Sequence, residues 1–295
     1  MKHKQIQPYI FLLPFIVMVV IFYVLPAVIT IAMSFTDLNG SFIWHFIGLD
    51  NYKRIFKDPN TTIIIWNTVR FVVVTIVLTI SIDLFIAIMT GYYIKKETIG
   101  NIFKSIWMIP MITPIVVYSV MWIWLLEASK NGMLNKVAYL MFGIEPVNWI
   151  ASYPVIIVIC ATIVVKIAYG TIIFSSAIRS IPEDQFKAAK VDGANDIETI
   201  KSIILPNLKW HISFLVLWET LGLLTDYVMI LLITNGGPGV STEVWSLASY
   251  HKAFIDMRYG YGAAISMILI LTVIVLMIFI TYFMRIREKQ GGKIA

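Results

Sequence analysis

The sequence predicts an all-α integral membrane protein with six transmembrane helices. Hydrophobic residues make up 59% of the chain and charged residues only 14%. A soluble domain has about a quarter of its residues charged, so this composition lies outside the globular range. Six stretches also reach the roughly 20 mainly apolar residues that a helix needs to cross a bilayer: approximately Tyr9–Met33, Trp66–Ile94, Ile102–Leu126, Val155–Ile178, Ile212–Ile233 and Ala263–Met284.

The first and third of these spans contain prolines. The first follows the basic tail MKHK, as a signal peptide would. Its apolar run is too long for a cleaved segment and lacks a clear Ala-x-Ala site, so we predict a retained span, kinked at Pro14 and Pro26. Pro110 and Pro114 are expected to bend the third span, and neighbouring helices must then satisfy the freed backbone groups.

The distribution of basic residues predicts the orientation. Six spans place both termini on one side, and the loops of that side carry about twice as many Lys and Arg residues as the opposite loops. The termini are therefore expected in the cytoplasm and the protein in the cell membrane. The net charge of +6 follows the same rule and calls for no nucleic-acid partner. The basic tail 285–295 is expected to contact anionic lipid headgroups.

Several kinds of chemistry find no support in the sequence. The single cysteine, Cys160, precludes an intramolecular disulfide. Every histidine lies at a span edge or in a loop, without ligand spacing, which disfavours an intramembrane metalloenzyme. No GxxxxGK[ST] phosphate loop is present, so the chain is not expected to hydrolyse ATP by itself. We predict that it is not an enzyme and binds no cofactor.

A polar, helix-forming stretch interrupts the apolar pattern at 180–208, SIPEDQFKAAKVDGANDIETIKSIILPNL. Ser180 and Glu183 have the spacing of a capping box, and the helix they open is predicted to reach about Val191. Asp192-Gly193 indicates a turn, because glycine adopts positive φ without steric cost.

A second helix is predicted in the same stretch. Asn195 and Glu198 form another capping-box pattern, and Pro206 is expected to end the helix before the fifth span. Two short amphipathic helices of this kind suit docking into a groove of a partner. The alternative is a helix lying on the lipid surface. Such a helix would usually be net basic, whereas this stretch, counted with its flanking Arg179 and Lys209, has five acidic and five basic residues.

The spacing Ala188-Ala189, Gly193 and Ile203-x-Leu205-Pro206 resembles the EAA motif, EAA-x3-G-x9-I-x-L-P, of binding-protein-dependent ABC importer permeases. Asp192-Gly193-Ala194 resembles the DGA of the carbohydrate branch. The leading Glu of the motif is replaced by Lys187, although Glu183 and Asp184 lie one turn earlier. Nearly the whole chain resembles the maltose-type first permease of sugar importers, in particular Pro8–Asp37, Leu49–Pro59, Asn235–Glu243 and Tyr259–Ala264.

This resemblance implies a domain organisation and a set of partners. Residues 1–65 would form the tail, first span and outer loop, and residues 66–290 a five-helix type I importer core containing the loop 180–208. The expected partners are a second homologous permease in a heterodimer, two ATPase subunits that bind ATP and Mg, a solute-binding protein and a sugar. The expected ATPase contacts are Glu183, Asp184, Lys187, Ala188, Ala189, Asp192, Gly193 and Ala194.

Charged residues within the spans indicate a second candidate site. Asp83, Lys166, Glu219 and Asp226 lie in apolar runs, where each charge costs at least about 2.5–3.5 kcal/mol, so each should face protein or water. Glu219 and Asp226 are two helical turns apart and are predicted to share a face. The resemblance also implies that six positions line the sugar path, because they align with positions of that path in the maltose-type permease. They are Lys166, Tyr169, Glu219, Gly222, Leu223 and Asp226.

Two interpretations of these charges stay open. Either they recognise a sugar that itself carries a charge, or Lys166 forms an internal salt bridge with Glu219 or Asp226. Tyr169 either stacks on a sugar ring or packs between helices. Asp83 is expected to pair with the second permease or to line the path, because Arg70 lies about 20 Å away along the helix.

Other functions are less well supported by the sequence. A proton- or ion-coupled secondary transporter is the main alternative, but it would more often show two inverted halves, and no such repeat is present. The glycine-rich outer loop Thr234–Val240 is expected to face a solute-binding protein, the alternative being a loop without a specific role.

Overall fold

The computed structural model describes residues 7–291, with side chains for residues 11–282. Helices and their connecting loops make up the described chain, together with one isolated antiparallel bridge between Thr36 and Phe46. Five helical segments are long and apolar enough to cross a membrane: Phe11–Ser34, Thr61–Tyr93, Pro154–Arg179, Asp196–Thr225 and Tyr259–Tyr282. We call them the first, second, fourth, fifth and sixth spans. The predicted all-α membrane fold is confirmed.

The third predicted span consists of two helices, Glu97–Ile112 and Ile115–Leu125, whose axes differ by 97°. Thr113 between them is extended, with ψ of 131°, because the ring of Pro114 disfavours a helical conformation at the preceding residue. The predicted bend is thus confirmed, and it is sharp enough to divide the span in two. The chain has six spans if this bent pair counts as one.

The remaining helices are short and connect the spans. The described chain also contains four π turns, each within or at the end of a helical segment. The short helices are Asp50–Lys57, Met133–Phe142, Trp149–Ser152, Glu183–Val191, Val228–Ile233 and Trp245–Tyr250. The π turns are Val20–Val24, Met89–Tyr93, Ile200–Ile204 and His251–Ile255, and the sixth span belongs to the helix Tyr259–Gly291.

Two of these π turns precede a proline. Val20–Val24 comes before Pro26, and Ile200–Ile204 comes before Pro206. A proline lacks the N–H donor and its ring crowds the carbonyl one turn earlier. Widening that turn lets the helix continue, so Pro26 distorts the first span locally. Pro14, by contrast, lies inside Gln7–Val19 without interrupting it.

Contacts divide the chain into two compact units. One contains the described part of Met1–Thr61 together with Ala248–Thr272, and the other contains Thr62–Leu247 with the described part of Val273–Ala295. The division into 1–65 and 66–290 from the sequence stays a prediction.

The first unit is held by a buried amide and a close helix approach. The Asn51 side chain is 2% exposed and donates to the carbonyls of Ser34 (3.0 Å) and Thr36 (2.8 Å). Gly260 opens the sixth span so close to Thr36 that a Cβ there would lie 2.1 Å from the Thr36 carbonyl oxygen. In the loop after the first span, hydrogen bonds from the backbone and ring of His45 hold the pKa of Asp37 below its ordinary value.

The second unit is organised around the fourth span. Phe174 is fully buried and packs with residues of the second and fifth spans, among them Ala87, Ile204 and Leu208. Because several of its faces are buried, this helix is apolar almost all round rather than amphipathic, as expected for a central helix. It fixes the positions of the charged side chains described below.

The segment that follows the third span depends on one asparagine. Asn135 is 1% exposed, and its Nδ2 donates to the carbonyls of Glu127, Ser129 and Val147 at 3.0–3.2 Å. Its Oδ1 accepts from the Val147 N–H at 3.1 Å and from Trp149 Nε1 at 2.7 Å. A single side chain therefore joins three parts of the segment 127–149.

We expect Asn135→Ala to destabilise this segment by about 2 kcal/mol, because it leaves several buried polar groups without partners. Limited proteolysis in detergent should show faster cleavage within 127–149. Asn131→Ala is the matched control, since only the backbone of Asn131 forms a described hydrogen bond, to Ser129 Oγ. Equal cleavage rates for the two variants would contradict the prediction.

Candidate functional site

The stretch 180–208 begins with an exposed helix at Glu183–Val191. The predicted capping box at Ser180 is wrong: Pro182 precedes the helix without a side-chain cap, and Ser180 Oγ donates to the Ala177 carbonyl at the end of the fourth span. Glu183 and Asp184 instead favour the helix start through the helix dipole.

Lys187 occupies the position of the missing glutamate and pairs with the acidic residues of its own helix. Its Nζ lies 3.1 Å from Asp184 Oδ1 and 3.6 Å from Glu183 Oε2. All three side chains are largely exposed, so these pairs stabilise the helix little. They remain accessible to a partner.

The helix ends at the predicted turn. Gly193 has φ of +81°, and the Ala194 N–H donates to the Ala189 carbonyl at 2.9 Å. A residue with a Cβ is strained in this conformation, which explains the glycine. Ala188, Ala189, Asp192 and Ala194 surround this turn, and Val191 beside it is 86% exposed.

The second helix of the stretch begins with the predicted capping box. Asn195 Oδ1 accepts from the Glu198 N–H at 2.9 Å, and Glu198 Oε2 accepts from the Asn195 N–H at 2.8 Å. The prediction that Pro206 ends this helix is wrong. The helix passes through the π turn Ile200–Ile204 and continues as the fifth span to Thr225.

The fifth span therefore includes part of the polar stretch. Its 30 residues extend about 45 Å, longer than the roughly 30 Å hydrocarbon core, so its first turns project from the membrane. Ile197 near this projecting end is 64% exposed, whereas Ile204 is fully buried.

We expect Asn195→Ala to loosen this helix start by about 1 kcal/mol, the usual effect of losing a cap. Hydrogen–deuterium exchange of peptides covering 195–199 should then be about fivefold faster. Asn195→Asp, which keeps a capping oxygen, should exchange nearly as the wild type does. Unchanged exchange in the alanine variant would show that packing alone holds the helix.

The polar stretch contacts the ends of the second and fourth spans. Tyr92 donates its hydroxyl to Asp196 Oδ1 at 2.9 Å, and its ring centroid lies 5.7 Å from that of Phe186. Arg179, the last residue of the fourth span, donates to the Thr90 carbonyl at 3.0 Å and pairs with Glu97 at 3.4 Å.

Lys166 and Glu219 form an ion pair between the fourth and fifth spans. Lys166 Nζ lies 2.9 Å from Glu219 Oε2, although the two groups do not meet at a hydrogen-bonding angle. The Glu219 side chain is 6% exposed and that of Lys166 is 21% exposed. A Cβ on Gly222 would lie 3.6 Å from the same Nζ, so this glycine borders the ammonium group.

Asp226 does not share a helical face with Glu219, contrary to prediction. The fifth span ends at Thr225, and Asp226 is extended with ψ of 132°. Its Oδ1 accepts from the Val228 N–H at 3.0 Å, which satisfies a free donor at the start of the helix Val228–Ile233. Its side chain thus stabilises the break in the helix.

Asp83 contacts a residue of its own chain. It is 1% exposed, and its Oδ1 accepts from Thr171 Oγ1 at 3.0 Å. Gly170 lies against the same carboxyl group, where a Cβ would be 2.0 Å from Oδ2. Arg70, considered from the sequence as a partner, donates instead to Asn67 Oδ1 at 3.2 Å.

Aromatic rings form a row beside the ion pair. Tyr169 and Trp218 have ring centroids 6.3 Å apart, and Phe214 lies 6.3 Å from Trp218. Trp218 is 54% exposed, whereas Leu223 is 2% exposed and packs inside the unit. Sequence reasoning missed Trp218; its position one residue before the buried Glu219, with Phe214 four residues earlier, was the available signal.

The glycine-rich loop Thr234–Val240 is attached to the second span. Asn67 Nδ2 donates to the carbonyls of Val240 (2.7 Å) and Glu243 (3.2 Å). Gly236 and Gly239 both have positive φ. Among the described residues, no three His, Cys, Asp or Glu side chains are grouped so as to hold a metal ion.

Comparison with known proteins shows the family of this chain. Residues 83–289 match the model of the family described as binding-protein-dependent transport system inner membrane component. A probable ABC transporter permease protein of Pyrococcus horikoshii is 32% identical, with 94% of this chain and 96% of that protein covered. The trehalose/maltose transport system permease protein MalF of Thermococcus litoralis is 28% identical, with 97% and 95% covered.

A solved structure shows the same fold. A chain in the crystal structure of a bacterial alginate ABC transporter, in complex with an alginate pentasaccharide-bound periplasmic protein, superposes with a TM-score of 0.84 at 21% identity. The superposition covers 96% of both chains.

Fold and spans thus define a multi-pass membrane permease. The chain belongs to the family of binding-protein-dependent transport system inner membrane components. The resemblance to binding-protein-dependent ABC permeases inferred from the EAA-like spacing is confirmed.

Proposed function

We propose that this chain is a permease subunit of an ATP-driven importer for a sugar or oligosaccharide. The observation that carries the proposal is the stretch 180–208, which forms two helices with exposed apolar side chains at Val191 and Ile197 in a member of the permease family. Relatives named for trehalose/maltose and for arabinooligosaccharides support a carbohydrate substrate.

The importer would contain further subunits. A homologous second permease completes the translocation path, two ATPase subunits bind ATP and Mg, and a solute-binding protein delivers the sugar. The exposed helix Glu183–Val191 and the turn at Gly193 form the ATPase contact, with both termini in the cytoplasm. The loop Thr234–Val240 faces the binding protein on the other side.

The substrate path runs beside the Lys166–Glu219 ion pair. Lys166 is partly exposed, and Trp218 and Tyr169 provide apolar ring faces nearby. A sugar with a carboxylate group would meet the ammonium group of Lys166, and an amino sugar would meet Glu219. The observed ion pair equally satisfies the alternative, in which the two charges only hold the spans together.

Co-purification from native membranes tests the proposal. The tagged chain should bring with it an ATPase, a second permease and a binding protein. In liposomes, the complex should take up sugar only when ATP is present on the side of the membrane that carries the ATPase subunits. A panel of maltotriose, trigalacturonate and triglucosamine would separate neutral, acidic and amino substrates. Uptake driven by a proton gradient without ATP would instead identify a secondary transporter.

A further inference from the structure

We propose that Tyr92 is a positioning residue that makes the stretch 180–208 and the second span move together. The inference rests on the proposed function, because it concerns how movement of the ATPase contact reaches the membrane helices. It assigns this role to a side chain that lies outside the stretch itself.

Tyr92 contacts both helices of the stretch. Its ring lies 5.7 Å from the Phe186 ring on the first helix, and its hydroxyl donates to Asp196 on the second at 2.9 Å. The turn at Gly193 separates these two helices. A side chain that holds both sides of the turn restricts bending there, so the two helices are expected to move as one piece.

The backbone that carries Tyr92 is also fixed. It belongs to the π turn Met89–Tyr93 at the end of the second span, whose Thr90 carbonyl accepts from Arg179 at 3.0 Å. Gly91 in the same turn packs so closely that a Cβ would lie 3.3 Å from the Ile178 side chain. Force on the two helices is therefore transmitted to the ends of the second and fourth spans.

The test measures the distance between the second span and the first helix of the stretch. Spin labels at Val77 and Lys190, both exposed and neither among the expected ATPase contacts, are introduced into the full complex with Cys160→Ser, and distances are recorded without nucleotide and with MgATP and vanadate. We expect one narrow distance in both states for the wild type. Tyr92→Ala should broaden or shift it by about 2 Å or more, the scale of helix shifts in such switches.

Milder variants keep the test decisive if Tyr92→Ala does not assemble. Tyr92→Phe and Asp196→Ala both remove the hydrogen bond between these residues, and Asp196→Ala also removes an interaction with Tyr93, so the double variant should broaden the distance no more than Asp196→Ala alone. Asp196→Asn keeps an acceptor oxygen and should resemble the wild type. Tyr139→Phe, on an exposed outer helix, is the matched control.

Wild-type distances in assembled Tyr92→Ala, Tyr92→Phe and Asp196→Ala, or additive effects in the double variant, would overturn the role of Tyr92. The proposed function fails separately, if the wild-type complex contains no subunit that hydrolyses MgATP. The measurements without nucleotide then still decide whether Tyr92 holds the two helices to the second span.

Discussion

Gly170→Ala is expected to destabilise the membrane domain by about 3 kcal/mol, the upper range for overpacking a core. The new Cβ would lie 2.0 Å from Asp83 Oδ2 and 2.5 Å from its Cγ. Asp83 is 1% exposed and accepts a hydrogen bond from Thr171, so it cannot move away without losing that bond. The second and fourth spans must therefore separate.

Heat-induced loss of monodisperse protein in detergent would measure this effect. Gly222→Ala is the matched control, because its Cβ would lie 3.6 Å from the nearest atom, an ordinary contact, and alanine favours the helix. Adding Asp83→Ala to Gly170→Ala should restore much of the lost stability by removing the overlapping carboxyl group. No recovery in that double variant would show that the overlap is not the cause.

Lys166→Met is expected to lower the free energy of unfolding by about 3–5 kcal/mol, because it leaves Glu219 buried without its cation. The loss of stability should be smaller when Glu219→Gln is combined with Lys166→Met, since the double variant contains neither charge. Thermal stability in detergent measures both steps. A single variant as stable as the wild type would contradict the prediction.

The same variants separate the two interpretations of the ion pair. If the pair only joins the spans, the double variant should recover uptake of maltotriose and of trigalacturonate alike. If Lys166 recognises a carboxylate on the substrate, the double variant should recover stability and maltotriose uptake but not trigalacturonate uptake. Loss of both uptakes despite recovered stability would contradict both interpretations.

Several features could be predicted from composition and local spacing alone. The membrane fold follows from long apolar runs, the sharp bend of the third span from Thr113-Pro114, and the turn between the two polar helices from Gly193. The capping box at Asn195 was also predictable, because both of its hydrogen bonds join residues three positions apart. The EAA-like spacing identified the family because it too is a pattern within one short stretch of the sequence.

Contacts between side chains of different helices could not be predicted in this way. Periodicity extended the fifth span through Asp226, but the helix ends at Thr225, and a broken helix leaves no periodic trace when both pieces are apolar. Pro206 indicated a helix end, yet a preceding π turn accommodates it. The pairings of Lys166 with Glu219, Asp83 with Thr171 and Tyr92 with Asp196 join residues 53, 88 and 104 positions apart. Local sequence carries no information on such distances, because they depend on how the spans pack.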